Sequence, residues 1–461
     1  MECAGRKKRL LCLGSLALIA MQSCGCGSDT ASGDSASTTP AAPQDDSSSK
    51  PPAAATTLQP RWLYEVMTCP SQAASRTESM TCAGYDSVVT SVRDLYESLS
   101  ATCTAQLCPQ ADFAGCVLRV AGHDFMDYGS GQGGADGCLD FEDVDNMGLV
   151  DCLNAGEHGV SLLTAYQAHC TTVSLADFIV IAAEAVMSLS RDHVLEADAS
   201  RAAVDFRAHF KFGRTTAEEC PWAEGRLPNP EQSCLAVRQT FLQRMGLGWA
   251  GAAALMGVHS LGRAHLENSG YNGFWSDAEN SRRFNNNYYA SMLGKGWMPE
   301  KAVGGNPNKN QWKRSDRGAD VEGLGKEMML DTDLCLAFED RGPPGAGAAL
   351  SAGTGNCQCA WVQEVVANTA VDTYLEGEYC GRRNPPRGEG RQREICCDGN
   401  GNRDIDCGPP NDVRGPAGES IKLFAASENQ WLTAFQGAWT QATENGFSGL
   451  QPLSQCDLFV P

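Results

Sequence analysis

An arginine and a histidine four residues apart, Arg119 and His123, are the first candidates for chemistry. Residues four positions apart share one face of a helix, so both side chains would point the same way. A neutral imidazole can take a proton from one oxygen of a peroxide and return it to the departing oxygen, and a fixed guanidinium stabilises the negative charge that develops. The pair therefore suits cleavage of an O–O bond, although the spacing alone also fits an ordinary surface or core helix.

His259 is the second candidate, because it closes an apolar helical stretch that begins at Ala254 and has small residues on either side. Small neighbours let a flat macrocycle approach an imidazole closely, and histidine is a common axial ligand of haem iron. The alternative is a core histidine whose ring is satisfied by hydrogen bonds. These residues alone leave both interpretations open.

The elements that position these histidines are predicted to be mainly helical. Residues 176–189 are apolar nearly all round, which predicts a buried helix. Near the C-terminus Ser427 can cap a helix with Gln430 as its capping-box partner, and Gly446 offers an end. Large aromatic residues recur every four positions along it, a spacing typical of core residues: Trp431, Phe435 and Trp439. Alternating strand patterns are scarce, so the predicted class is mainly α.

The N-terminal region predicts a secreted or luminal protein. Four basic residues at 6–9 precede the apolar run 10–20, which is too short to span a bilayer and suits a signal peptide. We predict a signal peptide over 1–27 and a disordered linker over 28–60, because the linker holds too few large apolar groups to offset the entropy of ordering. One domain is predicted over 61–461, with no membrane span after removal of the signal peptide.

Cysteine usage indicates the same compartment. The chain has 22 cysteines, and the 18 that follow the leader are an even number, as full disulfide pairing requires. A zinc or iron–sulfur site is the alternative, but Cys357-x-Cys359 and Cys396-Cys397 lack the paired C-x-x-C spacing of structural zinc. Two stretches without an apolar period, about 341–355 and 381–418, are predicted to be surface insertions, the second held by disulfides.

The net charge of −20 limits the classes of partner. So acidic a surface repels nucleic acid and anionic lipid, and it attracts basic molecules. We therefore expect no nucleic-acid partner, while charge alone does not choose between a basic protein and a small molecule.

The residues around His259 resemble a known family. The stretch 254–275, ALMGVHSLGRAHLENSGYNGFW, is similar to the proximal segment of the cytochrome c peroxidase and ascorbate peroxidase class of the plant, fungal and bacterial haem peroxidase superfamily. Further segments resemble that family in the same order within residues 89–340: 145–149, 212–214 with 225–228, and 328–333. The resemblance implies the haem peroxidase fold, with haem b between a distal and a proximal helical half.

The resemblance also implies an activity. Hydrogen peroxide would be reduced to water through a ferryl intermediate, with one-electron oxidation of a small organic or protein donor. The alternative is a non-catalytic haem-binding protein on the same fold. Members of this class generally lack a secretory leader and a disulfide framework, so the chain is expected to be a secreted, cysteine-rich form whose donor need not be cytochrome c.

On the proximal side the resemblance implies a role for each matching residue. His259 would be the axial ligand of the haem iron, and Asp333 would accept a hydrogen bond from its other ring nitrogen. Trp275 would hold an oxidising equivalent as a radical. Arg263 and His265 fall where the family contacts a haem propionate.

On the distal side Arg119 and His123 would act on the peroxide, and Asn146 would orient the His123 ring. One departure concerns Gly122, which stands where the family has tryptophan or phenylalanine. The distal pocket would therefore lose a wall and admit larger molecules or more water.

The segment after His123 resembles the calcium loop of secreted fungal peroxidases. Asp124, the Gly134 carbonyl and Asp136 would supply hard oxygen ligands. However, Cys138 stands where that family places serine, and sulfur is a poor ligand for calcium. The alternative is a glycine-rich surface turn.

Overall fold

Helices account for most of the ordered secondary structure. The computed structural model describes residues 60–154, 159–294, 297–314, 326–338, 413 and 415–456, and the backbone of 395–396 and 405–406. The α-helices run in the order α1 Leu63–Val66, α2 Cys82–Ser98, α3 Pro109–Met126, α4 Val150–Leu153, α5 Leu162–Gln167, α6 Leu175–Ala197, α7 Ser233–Val237, α8 Trp249–Met256, α9 Leu266–Ser269, α10 Asn287–Gly294, α11 Asp331–Ala337, α12 Gly418–Ala426 and α13 Glu428–Glu444.

Short helical segments of other types join these helices. A π-helical segment, Arg238–Arg244, continues α7. The 3-10 segments are Val144–Asn146, Gly257–Ser260, Asn280–Arg282 and Val303–Gly305. The segment Gly257–Ser260 directly extends α8 and carries His259.

Helix α6 is the central helix of the core, as its all-round apolar sequence predicts. Ser174 caps it by accepting a hydrogen bond from the Asp177 backbone amide. Nearly every residue from Leu175 to Met187 is buried, and α2 and α3 pack against it. The predicted buried helix over 176–189 is therefore confirmed, and it extends to Ala197.

The C-terminal helix α13 packs against α8, the helix that leads to His259. Ser427 accepts the Gln430 backbone amide at 3.4 Å, and Gly446 follows the helix in a left-handed conformation with φ of 88°. The aromatic residues predicted as core are buried: Trp431, Phe435 and Trp439. The predicted helix and its end are confirmed.

The strands of the described residues are short and form small antiparallel sheets. β1 (Lys211–Phe212) pairs antiparallel with β7 (Gln451–Pro452). A three-stranded antiparallel sheet has the order β2 (Trp297–Glu300), β3 (Gln311–Arg314), β4 (Met328–Met329). β5 (Ile395–Cys396) and β6 (Ile405–Asp406) form a separate antiparallel pair. The mainly α class is confirmed, and no helix within the described ranges is both long and apolar enough to cross a bilayer.

Six disulfides stabilise the described part of the chain, which agrees with the predicted pairing of cysteines. The pairs are Cys69–Cys170, Cys82–Cys456, Cys103–Cys108, Cys116–Cys152, Cys138–Cys220 and Cys234–Cys335. The predicted leader, nearly all of the linker, the insertion 341–355 and most of the insertion 381–418 lie outside the described residues. Secretion accordingly stays a prediction.

Candidate active site

The His259 ring is oriented by a buried carboxylate. Its Nδ1 lies 2.9 Å from Oδ1 of Asp333, a fully buried residue in the first turn of α11. A carboxylate only accepts, so Nδ1 carries the hydrogen and Nε2 keeps a free lone pair. The His259 side chain is 30% exposed. Its Nε2 is therefore suited to bind a metal, with Asp333 raising the basicity of the ring.

Asp333 also receives hydrogen bonds from two aromatic side chains. The indole Nε1–H of Trp275 donates to Oδ2 at 2.8 Å, and the hydroxyl of Tyr288 donates to Oδ1 at 2.8 Å. Trp275 stacks on the His259 ring at 4.3 Å between centroids, whereas Tyr288 meets it edge-on at 5.8 Å. Burial, with the charge of Asp333 as the second cause, raises the pKa of Tyr288 well above its usual value. Oδ2 of Asp333 thus accepts from Trp275, and Oδ1 accepts from both Tyr288 and His259.

Small residues before His259 have a packing reason. A Cβ on Gly257 would collide with the Tyr289 hydroxyl and the Trp431 indole nitrogen. Those two groups donate to the backbone carbonyls of Ala253 and Ala254, at 2.8 Å and 3.1 Å. The last turn of α8 is therefore held from α10 and α13 by buried hydrogen bonds, which fix the position of His259.

The distal histidine is held in a similar way. Nδ1 of His123 lies 2.8 Å from Oδ1 of Asn146, whose amide nitrogen donates to the Asp140 carbonyl at 2.8 Å. The amide nitrogen of Asn146 is thereby used, so its oxygen faces His123 and Nδ1 is the donor. Burial, and secondly the Arg119 guanidinium, lower the pKa of His123 to about 3. The imidazole is therefore neutral near pH 7, with Nε2 free to accept a proton.

Arg119 is bound to the same loop as His123. It donates to the backbone carbonyls of Met147 and Asp145, at 2.8 Å and 2.5 Å. Burial lowers the pKa of Arg119 to about 10, and the charge of Asp145 opposes this. The guanidinium remains a cation near neutral pH. The loop that contains Asn146 therefore fixes both distal side chains relative to each other.

Arg263 and His265 converge on Asp112, a carboxylate of α3, which is called the distal helix because it also carries Arg119 and His123. The Arg263 guanidinium binds both oxygens of Asp112 at 2.8 Å and also the Ala105 and Gln106 carbonyls. His265 Nε2 lies 3.1 Å from the same carboxylate. Burial raises the pKa of Asp112, but the hydrogen bonds from His265 and Arg263 outweigh it, so the pKa lies below its ordinary value. A contact of either residue with a haem propionate stays a prediction.

Three carboxylates, not two, are buried beside the predicted calcium loop. Asp124 accepts the backbone amides of Gly137 and Cys138, each at 3.0 Å. Asp127, which sequence reasoning missed, accepts the Gly134 amide at 2.7 Å. It ends the same helix three residues after Asp124, and that helical spacing is the signal that could have revealed it.

In this acidic cluster, defined here as Asp124, Asp127 and Asp136, burial outweighs the nearby cations: Arg226 and Arg244 lower the pKa of Asp127, yet it stays above its usual value. Burial raises the pKa of Asp127 to about 7 and that of Asp136 to about 8, and it raises that of Asp124 well above the usual value. Oδ2 of Asp127 and Oδ1 of Asp136 have no hydrogen-bond donor in the described structure. Among all described residues, no group of three His, Cys, Asp or Glu side chains is placed to hold a metal ion without other ligands. A cation here would need backbone oxygens as well.

Gly122 leaves open space beside His123. A Cβ built there would meet only the Met126 methyl carbon, at 3.9 Å, among the described atoms. Helix interiors disfavour glycine, and no close backbone contact explains this one. The result is the absence of a side-chain wall next to the distal histidine.

Comparison with known proteins agrees with the resemblance around His259. The family model named peroxidase matches residues 90–342. The cytosolic L-ascorbate peroxidase 1 of Oryza sativa subsp. indica is 31% identical over 180 residues, which are 38% of this chain and 64% of that protein. The mitochondrial cytochrome c peroxidase of Candida glabrata is 35% identical over 128 residues, which are 28% of this chain and 32% of that protein.

These matches span between about a third and two thirds of the relatives' own length. The family match, by contrast, covers more than half of this chain. It includes Arg119, His123, His259, Trp275 and Asp333. The chain therefore belongs to the peroxidase family.

Proposed function

We propose that this chain is a haem-dependent peroxidase that reduces hydrogen peroxide to water with electrons from a small organic or protein donor. The observation that carries the proposal is the pair of oriented imidazoles. His259 has Nδ1 held by Asp333, and His123 has Nδ1 held by Asn146, so each ring keeps Nε2 free. One ring is suited to bind a metal and the other to move a proton, as peroxide reduction requires.

The residues around His259 fit haem b. Nε2 of His259 is a free nitrogen donor on a partly exposed ring. Gly257 and Gly262 let the segment that carries His259 pack closely against Tyr289, Trp431 and Gly115. Bound haem supplies an iron centre that exchanges electrons with peroxide. Arg263 and His265 are proposed to bind a propionate on the strength of their family positions, and their contacts with Asp112 would fix them relative to the distal helix.

On the distal side, His123 transfers the proton and Arg119 stabilises the developing charge. Nε2 of His123 would accept a proton from one oxygen of the peroxide and return it to the oxygen that leaves as water. The low pKa of His123 keeps that nitrogen unprotonated beforehand. The Arg119 cation stabilises the negative charge that develops as the O–O bond breaks. Proton transfer by such a histidine contributes roughly 10²–10⁴-fold in rate.

On the proximal side Asp333 strengthens the donor character of His259, and Trp275 is the oxidisable ring that lies against it. We propose that Trp275 holds one oxidising equivalent until a donor reduces it. Its Nε1–H already has an acceptor in Asp333, so loss of the indole proton needs no rearrangement.

We also propose calcium as a second cofactor, bound at Asp124, Asp136 and the Gly134 carbonyl, with Asp127 beside them. The support is the three buried carboxyl groups and the two carboxylate oxygens that lack a donor within the described structure. Cys138 is bonded to Cys220, so its sulfur is not a free thiolate that would compete as a ligand. Calcium takes six to eight oxygen ligands, and carbonyls and water would complete the set.

A secreted or luminal location remains part of the proposal, and its support is the leader-like N-terminus together with the disulfides. The acidic chain suits a cationic donor, whether a basic protein or a small molecule.

Stopped-flow spectroscopy of the haem-loaded protein with hydrogen peroxide tests the function. We expect a rapid absorbance change, slowed by orders of magnitude in His123→Leu although haem still binds. His169→Leu, in a histidine bonded to Ser91, is the matched control and should react normally. Haem binding without any reaction with peroxide would instead support the non-catalytic alternative.

A further inference from the structure

A second tryptophan–carboxylate–tyrosine triad lies in the core, outside the site described above. Oε1 of Glu184, in the middle of α6, accepts the Trp439 indole N–H at 2.9 Å. Oε2 accepts the Tyr85 hydroxyl at 2.7 Å. All three side chains are buried, and they come from three different helices. The arrangement repeats the tryptophan and tyrosine contacts of Asp333, with one carboxylate oxygen for the indole and the other for the hydroxyl.

Such a triad lowers the cost of oxidising a buried aromatic ring. Removal of one electron from tryptophan or tyrosine leaves a strongly acidic cation, and an isolated positive charge is expensive in the core. A carboxylate in hydrogen-bond contact takes the proton, so the site passes from one negative charge to neutral and no positive charge is left in the core. Burial raises the pKa of Glu184 to about 7, so this carboxylate takes up a proton more readily than an exposed one. The charged groups beside it, Arg214 and Asp177, already pair with each other at 2.7 Å.

A continuous row of aromatic rings connects the two triads. Centroid separations are 5.0 Å from Tyr288 to Tyr289, 5.9 Å to Trp431, 5.8 Å to Phe435 and 6.0 Å to Trp439. Each of these rings is at most 2% exposed. Electron transfer between rings weakens steeply with their separation, and here successive rings are in contact. The row therefore offers a path from Asp333 to Glu184.

We propose that Trp439, Glu184 and Tyr85 form a second oxidation site, which receives an oxidising equivalent from Trp275 through this row when no donor is present. The proposal rests on the proposed peroxidase function, with peroxide as the oxidant. One electron leaves Tyr85 and passes by way of Trp439 and the row to refill the vacancy on Trp275. The hydroxyl proton of Tyr85 moves to Glu184, which becomes neutral. A later one-electron donor restores Tyr85, and the proton returns from Glu184.

Freeze-quench electron paramagnetic resonance of the haem-loaded protein tests this site. The protein is mixed with one equivalent of hydrogen peroxide without a donor, above the pKa of Glu184, and peroxide consumption is followed in parallel. Samples with ring-deuterated tyrosine or tryptophan identify the radical. We expect an early tryptophan signal followed by a later tyrosine signal, and oxidised Tyr85 in the peptide mass spectrum.

Four variants separate transfer from structure. Tyr85→Phe removes the final site, Trp439→Phe breaks the path, and Glu184→Gln keeps a hydrogen-bonding group but removes the base. Each should abolish the late tyrosine signal and prolong the early one. The matched control is Trp312→Phe, because Trp312 is equally buried and donates to Asp331 at 2.7 Å but has no ring contact with the row in the described structure. It should leave both signals unchanged.

The outcomes separate this inference from the function on which it rests. Peroxide consumed with no late tyrosine radical, or with one that survives in Glu184→Gln and Tyr85→Phe, would overturn the second oxidation site and leave the peroxidase standing. Peroxide that is not consumed at all would overturn the peroxidase function, and the second site with it. Circular dichroism of each variant shows whether loss of the late tyrosine signal is caused by misfolding. If Tyr85→Phe or Trp439→Phe misfolds, the result for Glu184→Gln decides whether the second oxidation site exists.

Discussion

The backbones of Gly115 and Gly262 are in contact, because a Cβ on Gly115 would lie 2.9 Å from the Gly262 Cα. Gly262 also has φ of 77°, a conformation that favours glycine. Gly115 belongs to the helix of His123, and Gly262 follows His259 by three residues. The two histidine-bearing segments therefore meet where neither has a side chain, so their separation is sensitive to one added carbon.

We expect Gly115→Ala to destabilise the protein and to weaken haem binding. Overpacking of this kind costs roughly 1–3 kcal/mol. Thermal unfolding and haem titration measure the two effects. Gly437→Ala is the control, since this exposed glycine of α13 has no described atom near its Cβ. It should stabilise by roughly 0.5–1 kcal/mol, as alanine does in a helix interior. Equal effects of the two substitutions would contradict the contact.

Gly122→Phe should change which peroxides react. The space beside His123 accepts an added side chain, so reaction with hydrogen peroxide should stay within a few-fold of the parent. A bulky organic hydroperoxide such as cumene hydroperoxide should lose roughly 10-fold or more in kcat/KM, a typical penalty for a mismatched pocket. Gly122→Ala fills little of the space and should discriminate less. If the ratio of kcat/KM for hydrogen peroxide to kcat/KM for cumene hydroperoxide is the same in Gly122→Phe and the parent, the substrate does not use this space.

Glu428→Gln should make the free energy of unfolding depend less on pH in the acid range. Burial raises the pKa of Glu428, but bonds from Arg191 and Arg201, each at 2.7 Å, outweigh it and leave the pKa below its ordinary 4.5. Because the pKa is lower in the folded state than in the unfolded state, the ionised carboxylate adds to the free energy of unfolding at pH values above the unfolded-state pKa. This contribution is lost as the pH falls through the folded-state pKa. The variant leaves Arg191 buried without its anion, at a cost of about 3–5 kcal/mol near neutral pH.

Denaturant unfolding at several pH values measures this difference. The free energies of unfolding of parent and variant should converge as the pH falls below about 4, where the unfolded carboxylate protonates. Glu419→Gln is the control, because its pair with Lys422 is exposed. It should change stability by roughly 0–1 kcal/mol. A constant gap between parent and Glu428→Gln down to acid pH would be inconsistent with the ion pair.

Calcium should raise the Tm of chelator-treated protein. A ligand at 100 times its Kd stabilises by about 2.7 kcal/mol when it binds only the folded state. Asp136→Asn should reduce the shift, whereas Glu142→Gln, in an exposed acid of a nearby loop, should not. Magnesium, which prefers a tighter octahedral set, should substitute poorly. No shift with calcium, or equal shifts in both variants, would remove calcium from the proposal.

Helices that follow from a local pattern of apolar residues and caps could be predicted from the sequence. The all-round apolar run became α6, and the aromatic spacing with Ser427 and Gly446 became α13. The structure also brings His123 to Asn146 and His259 to Asp333, pairs that the family resemblance implies. Local periodicity and a long specific motif are the features that a sequence shows directly.

Contacts between distant segments could not be predicted. Tyr288 reaches Asp333 only because α10 packs beside α11, and its aromatic neighbours in sequence gave no sign of this. Arg119 binds carbonyl groups, which every residue has, so no spacing could reveal its partners. Arg263 meets Asp112 across 151 residues. Each contact depends on the assembled tertiary structure.

Two of the disulfides end close to the site residues. Cys116 lies one helical turn before Arg119 and is bonded to Cys152, and Cys335 lies two residues after Asp333 and is bonded to Cys234. Covalent crosslinks therefore hold the helix that carries Arg119 and His123 and the segment that orients His259. A thiol reductant that opened these bonds would act as an inhibitor at a distance, without touching His123 or His259.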